Sequence, residues 1–381
     1  MMPERLARYG RMLGQLEQKG RRRALSQQSG IDFTSNDYLG LAESPRLKAA
    51  VAAALERGVA VGAGGSRLLR GNHPEHEALE AEAAAFFQSE RALFFGSGYA
   101  ANVAILSTLP QRGDIIVHDT LVHASTHAGI AASRAEAIAV PHNDVDALDD
   151  TIRKWRKAGG TGHPWIAVES LYSMDGDRAP LIELAELADR HHGFLLVDEA
   201  HATGVYGTDG RGLSADLEGR DNIVVLHTCG KALGTAGALI TGSRLLCDFL
   251  VNRARPFIYA TAPSPLLAAG VREALKILAD EPERREKLLH LIAVSNEQLT
   301  GRLGIEGSGS QILPVIIGDN GRTVRIAERM QMEGFDIRAI RPPTVPEGTA
   351  RLRIAITLSV DPPTIIRMFD RLSQAMADET P

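Results

Sequence analysis

Between residues 92 and 242 the chain repeats one pattern: a short, wholly apolar run, a helix-length stretch, then another run. The runs are ALFF (92–95), IIVH (115–118), AIAV (137–140), WIAVE (165–169), FLLVD (194–198), IVVLH (223–227) and GALITG (237–242). A strand with one wet face alternates apolar and polar residues, whereas an unbroken run suits a strand buried on both faces. Such runs alternating with helices predict an α/β domain built on a large, mostly parallel sheet. Past residue 243 helical stretches dominate to about 303. Then LPVIIG, DIRAI and RLRIAIT alternate with two helices, which predicts a smaller C-terminal α/β domain. The expected divisions are an N-terminal helical segment 1–36, a large domain 37–262 and a small domain 263–381.

Local signals agree with this frame. Residues 1–30 predict a helix with a basic end at Arg21, Arg22 and Arg23, which reads equally as a solvated face or as a ligand contact. Ser44-Pro45 predicts a helix start, with Ser as N-cap and Pro at the first helical position, and a stop near Gly58. A second helix is expected after Asn72. Composition narrows the functional classes. With 44% hydrophobic and 23% charged residues the chain is ordinary for a globular protein. A net charge of -5 gives no electrostatic reason to expect nucleic acid. The first residues lack an apolar signal core, and no stretch approaches the roughly 18 apolar residues of a membrane span. Two cysteines, Cys229 and Cys247, are too few for a disulfide framework. These features predict a cytoplasmic protein with no membrane partner.

Ligands of open α/β sheets bind beyond the carboxyl ends of the strands, so the residues after each run carry the chemistry. FLLVD ends on Asp198, with His201 three residues later. A carboxylate there is costly unless a cation or donor meets it. IVVLHTCGKALG places Lys231 just past another strand, in a turn flanked by Gly230 and Gly234. A lone Lys is ordinarily a solvated surface residue, but both flanks here read as buried, and a Lys in an apolar setting becomes a usable amine nucleophile. ALFFGSGYAAN is a strand, a glycine turn at Gly96-Ser97-Gly98 and a helix start, which is a phosphate cradle. It also fits a dinucleotide fingerprint through Ala101, while Val225 and Ala232 exclude a Walker sequence around Lys231. His123 and His127 have the spacing of some zinc pairs but lack the accompanying Glu, so no metal is expected. A phosphate cradle, an acid at a strand end, an imine-forming Lys and a flat His form the set that pyridoxal 5'-phosphate (PLP) needs.

The segments SNDYLGL (35–41), GSGYAAN (96–102), HASTH (123–127), SMDGD-x-APL (173–181), VDEAH-x-TG (197–204), TCGKALG (228–234) and IRPPTVPEGTARLR (340–353) occur in that order. With them the chain resembles the α-oxoamine synthases, PLP-dependent transferases with the aspartate-aminotransferase type of fold, over nearly its whole length. The resemblance implies that Lys231 is the Schiff-base lysine and that Asp198 pairs with the pyridinium nitrogen. It implies that His201 hydrogen-bonds the ring oxygen and that His123 stacks on the ring near the substrate. Gly98, Tyr99 and Thr228 would fall at phosphate or ring contacts and Ser173 at a cofactor contact. Arg21, Thr344 and Arg353 would bind substrate, Arg353 at the amino-acid carboxylate, with Arg21 and Arg341 toward the acyl end. The segment Ile340–Pro346 points to the branch that condenses a pimeloyl thioester, on acyl carrier protein or coenzyme A, with L-alanine. Glycine C-acetyltransferases and 5-aminolevulinate synthases are the sister alternatives. Homodimers are implied by the resemblance alone. An NAD-dependent dehydrogenase built on the glycine turn leaves Lys231 and Asp198 without a purpose. A non-catalytic PLP-binding or carrier-binding protein leaves the intact Lys, Asp and His set without one.

Overall fold

The computed structural model describes residues 4–25 and 27–379; the remaining positions of the expected terminal segments lie outside the described residues. The chain divides into two compact units. The larger holds residues 37–173 and 177–286, and the other holds 1–36, 174–176 and 287–381. The division falls at 286/287 rather than after residue 262. The helix Pro265–Asp280 causes the difference, because it packs on the helices Pro45–Glu56 and Pro74–Phe86 of the larger unit.

All seven expected strands of the larger unit form, in one sheet. Its spatial order is Arg91–Phe95, Ala238–Gly242, Ile223–Thr228, Phe194–Asp198, Pro164–Glu169, Ile115–Asp119, Glu136–Val140. The last five are parallel to one another, and Ala238–Gly242 runs antiparallel to both its neighbours. Both faces are buried, which explains the unbroken apolar runs. Ile115, Val117, Ile166, Val168, Leu195 and Val197 enter one core, while Ile116, Trp165, Ala167, Leu196 and Leu226 enter the other. The chain lays down Ile115–Asp119, then Glu136–Val140 at the edge, then returns to place Pro164–Glu169 on the other side of Ile115–Asp119. That reversal of strand order opens a crevice beyond the carboxyl ends, where ligands of such sheets bind.

Helix starts follow the expected chemistry. Ser44 caps Pro45–Glu56 by accepting the N–H of Leu47, and His73 caps Pro74–Phe86 by accepting the N–H of Glu75. The other unit contains a three-stranded antiparallel sheet in the order Arg338–Ile340, Ala350–Ala355, Ile312–Gly318. The run DIRAI is not one strand. The Ile337 N–H bonds back to the Phe335 carbonyl at 2.9 Å, so Phe335–Asp336 pairs in parallel with Ile31–Asp32 and only Arg338–Ile340 joins the sheet. The N-terminal helix, Glu4–Gln18, ends before the basic triplet, and Gly20 turns the chain with φ +61°.

Two helices that flank the crevice touch at a glycine. Gly129, in the helix Ala124–Ala131, has no room for a Cβ, which would lie 2.8 Å from Leu106 Cβ and 2.9 Å from the Asn102 carbonyl oxygen of the helix Gly98–Thr108. Gly129→Ala is expected to force the helices apart and to destabilise the protein by about 1–3 kcal/mol, the usual cost of overpacking. A urea midpoint unchanged from the parent's would contradict that packing.

Candidate active site

Four neighbouring parallel strands end at the crevice, and each delivers a candidate. Ile115–Asp119 leads to His123, Pro164–Glu169 to Ser173, Phe194–Asp198 to Asp198 and His201, and Ile223–Thr228 to Thr228 and Lys231. Lys231 sits in a turn closed by the Gly234 N–H on its own carbonyl, 2.9 Å away. Gly234 adopts φ +63°, and a Cβ there would lie 2.4 Å from the Ala42 nitrogen, so the turn requires glycine. Lys231 Nζ lies 2.7 Å from His201 Nε2, and His201 Nδ1 lies 2.7 Å from the Tyr38 hydroxyl.

Asp198 is 6% exposed. Its Oδ2 accepts from Asn102 Nδ2 at 2.7 Å and its Oδ1 from the Ala200 N–H at 3.0 Å. The same Asn102 amide donates to Ser125 Oγ at 3.0 Å. Ser125 in turn lies 2.7 Å from His123 Nδ1, which also accepts the Ser125 N–H at 3.2 Å. With Nδ1 accepting, the proton of neutral His123 sits on Nε2. The ring keeps access to solvent. Its pKa is nevertheless lowered, first by the protein crowding it; the Asp198 charge opposes this and the Lys231 ammonium reinforces it.

The glycine turn is shaped as an anion cradle. Ser97 caps the helix Gly98–Thr108 by accepting the Ala100 N–H. No heavy atom lies within 4 Å of a Cβ built on Gly96, and Gly98 faces Thr228, whose Oγ1 would lie 3.5 Å from such a Cβ. Tyr99 is 53% exposed at the helix start. An open helix N-terminus, a buried carboxylate and a lysine amine at adjacent strand ends fit the phosphate, ring nitrogen and aldehyde carbon of PLP.

The basic triplet lies past the end of the helix, with Arg22 and Arg23 exposed and Arg21 partly buried. Arg21 Nη2 bonds Glu347 Oε1 at 2.6 Å, and Arg23 Nη2 donates to Thr344 Oγ1 at 2.8 Å. Arg341 donates to the Gly20 carbonyl, and these residues line a cavity of about 140 Å³. Burial and then the Arg23 charge lower the Arg341 pKa. Arg353 is buried and donates to Asn36 Oδ1 at 3.0 Å. Arg21, Arg341, Thr344 and Arg353 thus belong to the second unit, and the remaining candidates belong to the first.

Three residues escaped the sequence reading. Asn102 and Tyr38 stand inside the quoted motifs, but their partners are distant in the chain. Glu169 ends its strand in register with Asp198. It is buried, accepts the Ser173 N–H on Oε2 at 3.1 Å, and has no partner on Oε1. Burial, then the Asp198 charge, push its pKa up to about 8, with Lys231 opposing. Asp198 and Lys231 thus act on one carboxyl group, and they act together again on His123. Next to this cluster, His142 is held between Asp119 Oδ2 at 2.8 Å and Asp177 Oδ2 at 2.7 Å. Burial opposes its charge, but the two carboxylates raise its pKa to about 10.

A family model described as aminotransferase class I and II matches residues 28–372. An 8-amino-7-oxononanoate synthase from Chromobacterium violaceum is 45% identical over 331 residues, which cover 86% of this chain and 85% of that protein. Among solved structures, a serine palmitoyltransferase variant from S. paucimobilis with a bound PLP–myriocin aldimine matches with a TM-score of 0.89 and 26% identity, covering 100% of this chain and 99% of that one. An 8-amino-7-oxononanoate synthase from Francisella tularensis matches with a TM-score of 0.78 and 28% identity, covering 93% and 99%. The chain belongs to the class I and II aminotransferase family, and within it to the group of the 8-amino-7-oxononanoate synthases.

The Glu169 carboxyl makes a pH signature. Its folded pKa lies above its unfolded value of 4.5, so the folded state binds the proton more tightly. Stability is full below the unfolded pKa and falls as pH rises through the folded value near 8. Glu169→Gln keeps the shape and removes the ionisation. The unfolding free energy of the variant, from urea titrations, is expected to gain on the parent's between pH 5 and 8, by an amount on the order of a few kcal/mol. Parallel pH profiles for the two proteins would show that Glu169 does not hold the proton.

Proposed function

We propose that this chain, with PLP on Lys231, condenses a pimeloyl thioester with L-alanine to give 8-amino-7-oxononanoate, carbon dioxide and the free thiol, a step of biotin biosynthesis. The observation that carries the reading is the Lys231 amine, 2.7 Å from His201 Nε2 and just past the strand that pairs with the one ending at Asp198. When bound, the cofactor supplies an electron sink that delocalises the charge left at the amino acid's α-carbon.

The protein's own groups supply the rest. Asp198, fixed by Asn102 and the Ala200 N–H, holds a proton on the ring nitrogen. Lys231 Nζ, as a neutral amine, takes the alanine α-proton, a general-base step. His201 orients that amine from its Nε2 and reaches the ring oxygen. His123 presents its Nε2 proton to the reacting carbons while Ser125 holds Nδ1. The Gly96–Gly98 turn and Thr228 hold the phosphate, with Tyr99 and Ser173 as further cofactor contacts. By resemblance Arg353 takes the alanine carboxylate, since a guanidinium fork matches a carboxylate. Arg21, Arg341 and Thr344 serve the acyl end. The same resemblance assigns a homodimer, a cytoplasmic location, and acyl carrier protein or coenzyme A as the thiol carrier. Among the described residues no helix is long and apolar enough to cross a membrane.

The test is a purified preparation assayed with pimeloyl thioester and either alanine or glycine, with the products identified. Alanine with the pimeloyl donor is expected to give the highest turnover. Preference for glycine with acetyl or succinyl thioester would instead place the chain with a sister branch. Lys231→Ala is expected to hold cofactor only reversibly and to lose at least about 10³-fold in turnover. Borohydride-stable attachment of cofactor to that variant would contradict the assignment.

A further inference from the structure

The SNDYLGL segment contains Tyr38, to which the mechanism above gives no part, yet Tyr38 is 0% exposed and its hydroxyl lies 2.7 Å from His201 Nδ1. A buried hydroxyl needs a partner, and a phenol below its pKa of about 10 has a proton to give. If it donates to Nδ1, the ring proton of neutral His201 must sit on Nε2. That atom faces Lys231 Nζ at 2.7 Å. A ring N–H at this distance needs a lone pair on the amine, so the arrangement suits neutral Lys231. In the opposite arrangement Nδ1–H donates to the phenol oxygen and an ammonium donates to Nε2.

We propose that Tyr38 is a positioning residue: by holding the His201 proton on Nε2, it keeps Lys231 in the uncharged form that attacks the cofactor aldehyde and takes the substrate proton. The inference rests on the reading of Lys231 as the cofactor lysine. Asp198, Glu169 and His123 are titratable groups that share this neighbourhood with Lys231, with His127 and Asp119 beyond them, and the variants below leave all five in place. In Tyr38→Phe the ring packing is kept, but Nδ1 loses its donor. The His201 proton is then free to occupy Nδ1, and Nε2 becomes an acceptor that favours the ammonium.

The experiment follows uptake of PLP by the apoprotein, read by visible absorbance across a pH series. Only the uncharged amine adds to the aldehyde carbon, forming the C=N bond as the aldehyde oxygen leaves as water with the two amine protons, so the rate rises with pH through the amine's titration. Tyr38→Phe is expected to shift that midpoint upward by about one unit, which slows uptake about tenfold below it. The thermal transition of each protein, recorded alongside, reports any loss of fold. Superimposable pH profiles for Tyr38→Phe and the parent would overturn the proposal. In a His201→Gln background, which has no ring proton to place, Tyr38→Phe is expected to add no further shift; an equal shift there would overturn it as well. Failure of the parent protein to take up PLP at any pH would overturn the reading of Lys231 itself, a result distinct from either of these.

Discussion

A carboxylate at the end of a strand buried on both faces has little access to water, and the site is arranged around satisfying Asp198. Its two oxygens take one amide proton from Asn102 and one backbone proton from Ala200. Asn102 stands one turn into the helix Gly98–Thr108, whose start is the anion cradle. The donor that Asp198 requires therefore fixes the distance between the cradle and the carboxylate. The same amide reaches Ser125, which holds His123. One side chain thus couples three parts of the crevice, and the close approach at Gly129 keeps its helix seated.

The segment after that strand shows how neighbouring acids are separated. Asp198 turns to the crevice, while Glu199 turns away and accepts the Ser214 N–H at 2.5 Å. Burial raises the Glu199 pKa, and the nearby His227 charge opposes that rise. His227 is itself enclosed by Thr203 at 2.8 Å and by the stacked ring of Phe87 at 3.7 Å. His201, on the following turn, returns to the crevice beside Lys231. Two adjacent carboxyl groups thereby meet different electrostatic surroundings, one facing the crevice and the other held in the scaffold.

The strands were legible because burial on both faces leaves an unbroken apolar run, a signal that needs no partner to be recognised. Asp198 and Lys231 were legible for a related reason, since a polar group just past such a run stands out. Glu169 was not. A glutamate that closes WIAVE looks like a solvated strand end, and only the pairing of that strand with Phe194–Asp198 brings Asp198 beside it. Tyr38 and Asn102 were visible as motif letters, but their contacts span 163 and 96 residues of chain. The unit boundary was misplaced because Pro265–Asp280 is a helix in either domain. What assigns it is the apolar surface it meets on Pro45–Glu56 and Pro74–Phe86. The first helix was drawn too long because Gly20 ends the helical path that periodicity extends.

Charge balance in the crevice explains why an extra acid is tolerated there. Asp198 and Glu169 end adjacent strands, and Asp119 ends the next one. Three ionised carboxylates side by side in a buried region would repel strongly. Each is handled differently. Asp119 is matched by His142, which Asp177 helps to keep charged. Asp198 is met by amide donors that carry no net charge, which leaves its own charge available to a cation. Glu169 has neither kind of support on Oε1, and it holds a proton instead. Of the three, Asp198 is the one met by neutral amide donors, and a cationic ring nitrogen placed against it would find a carboxylate already fixed in place.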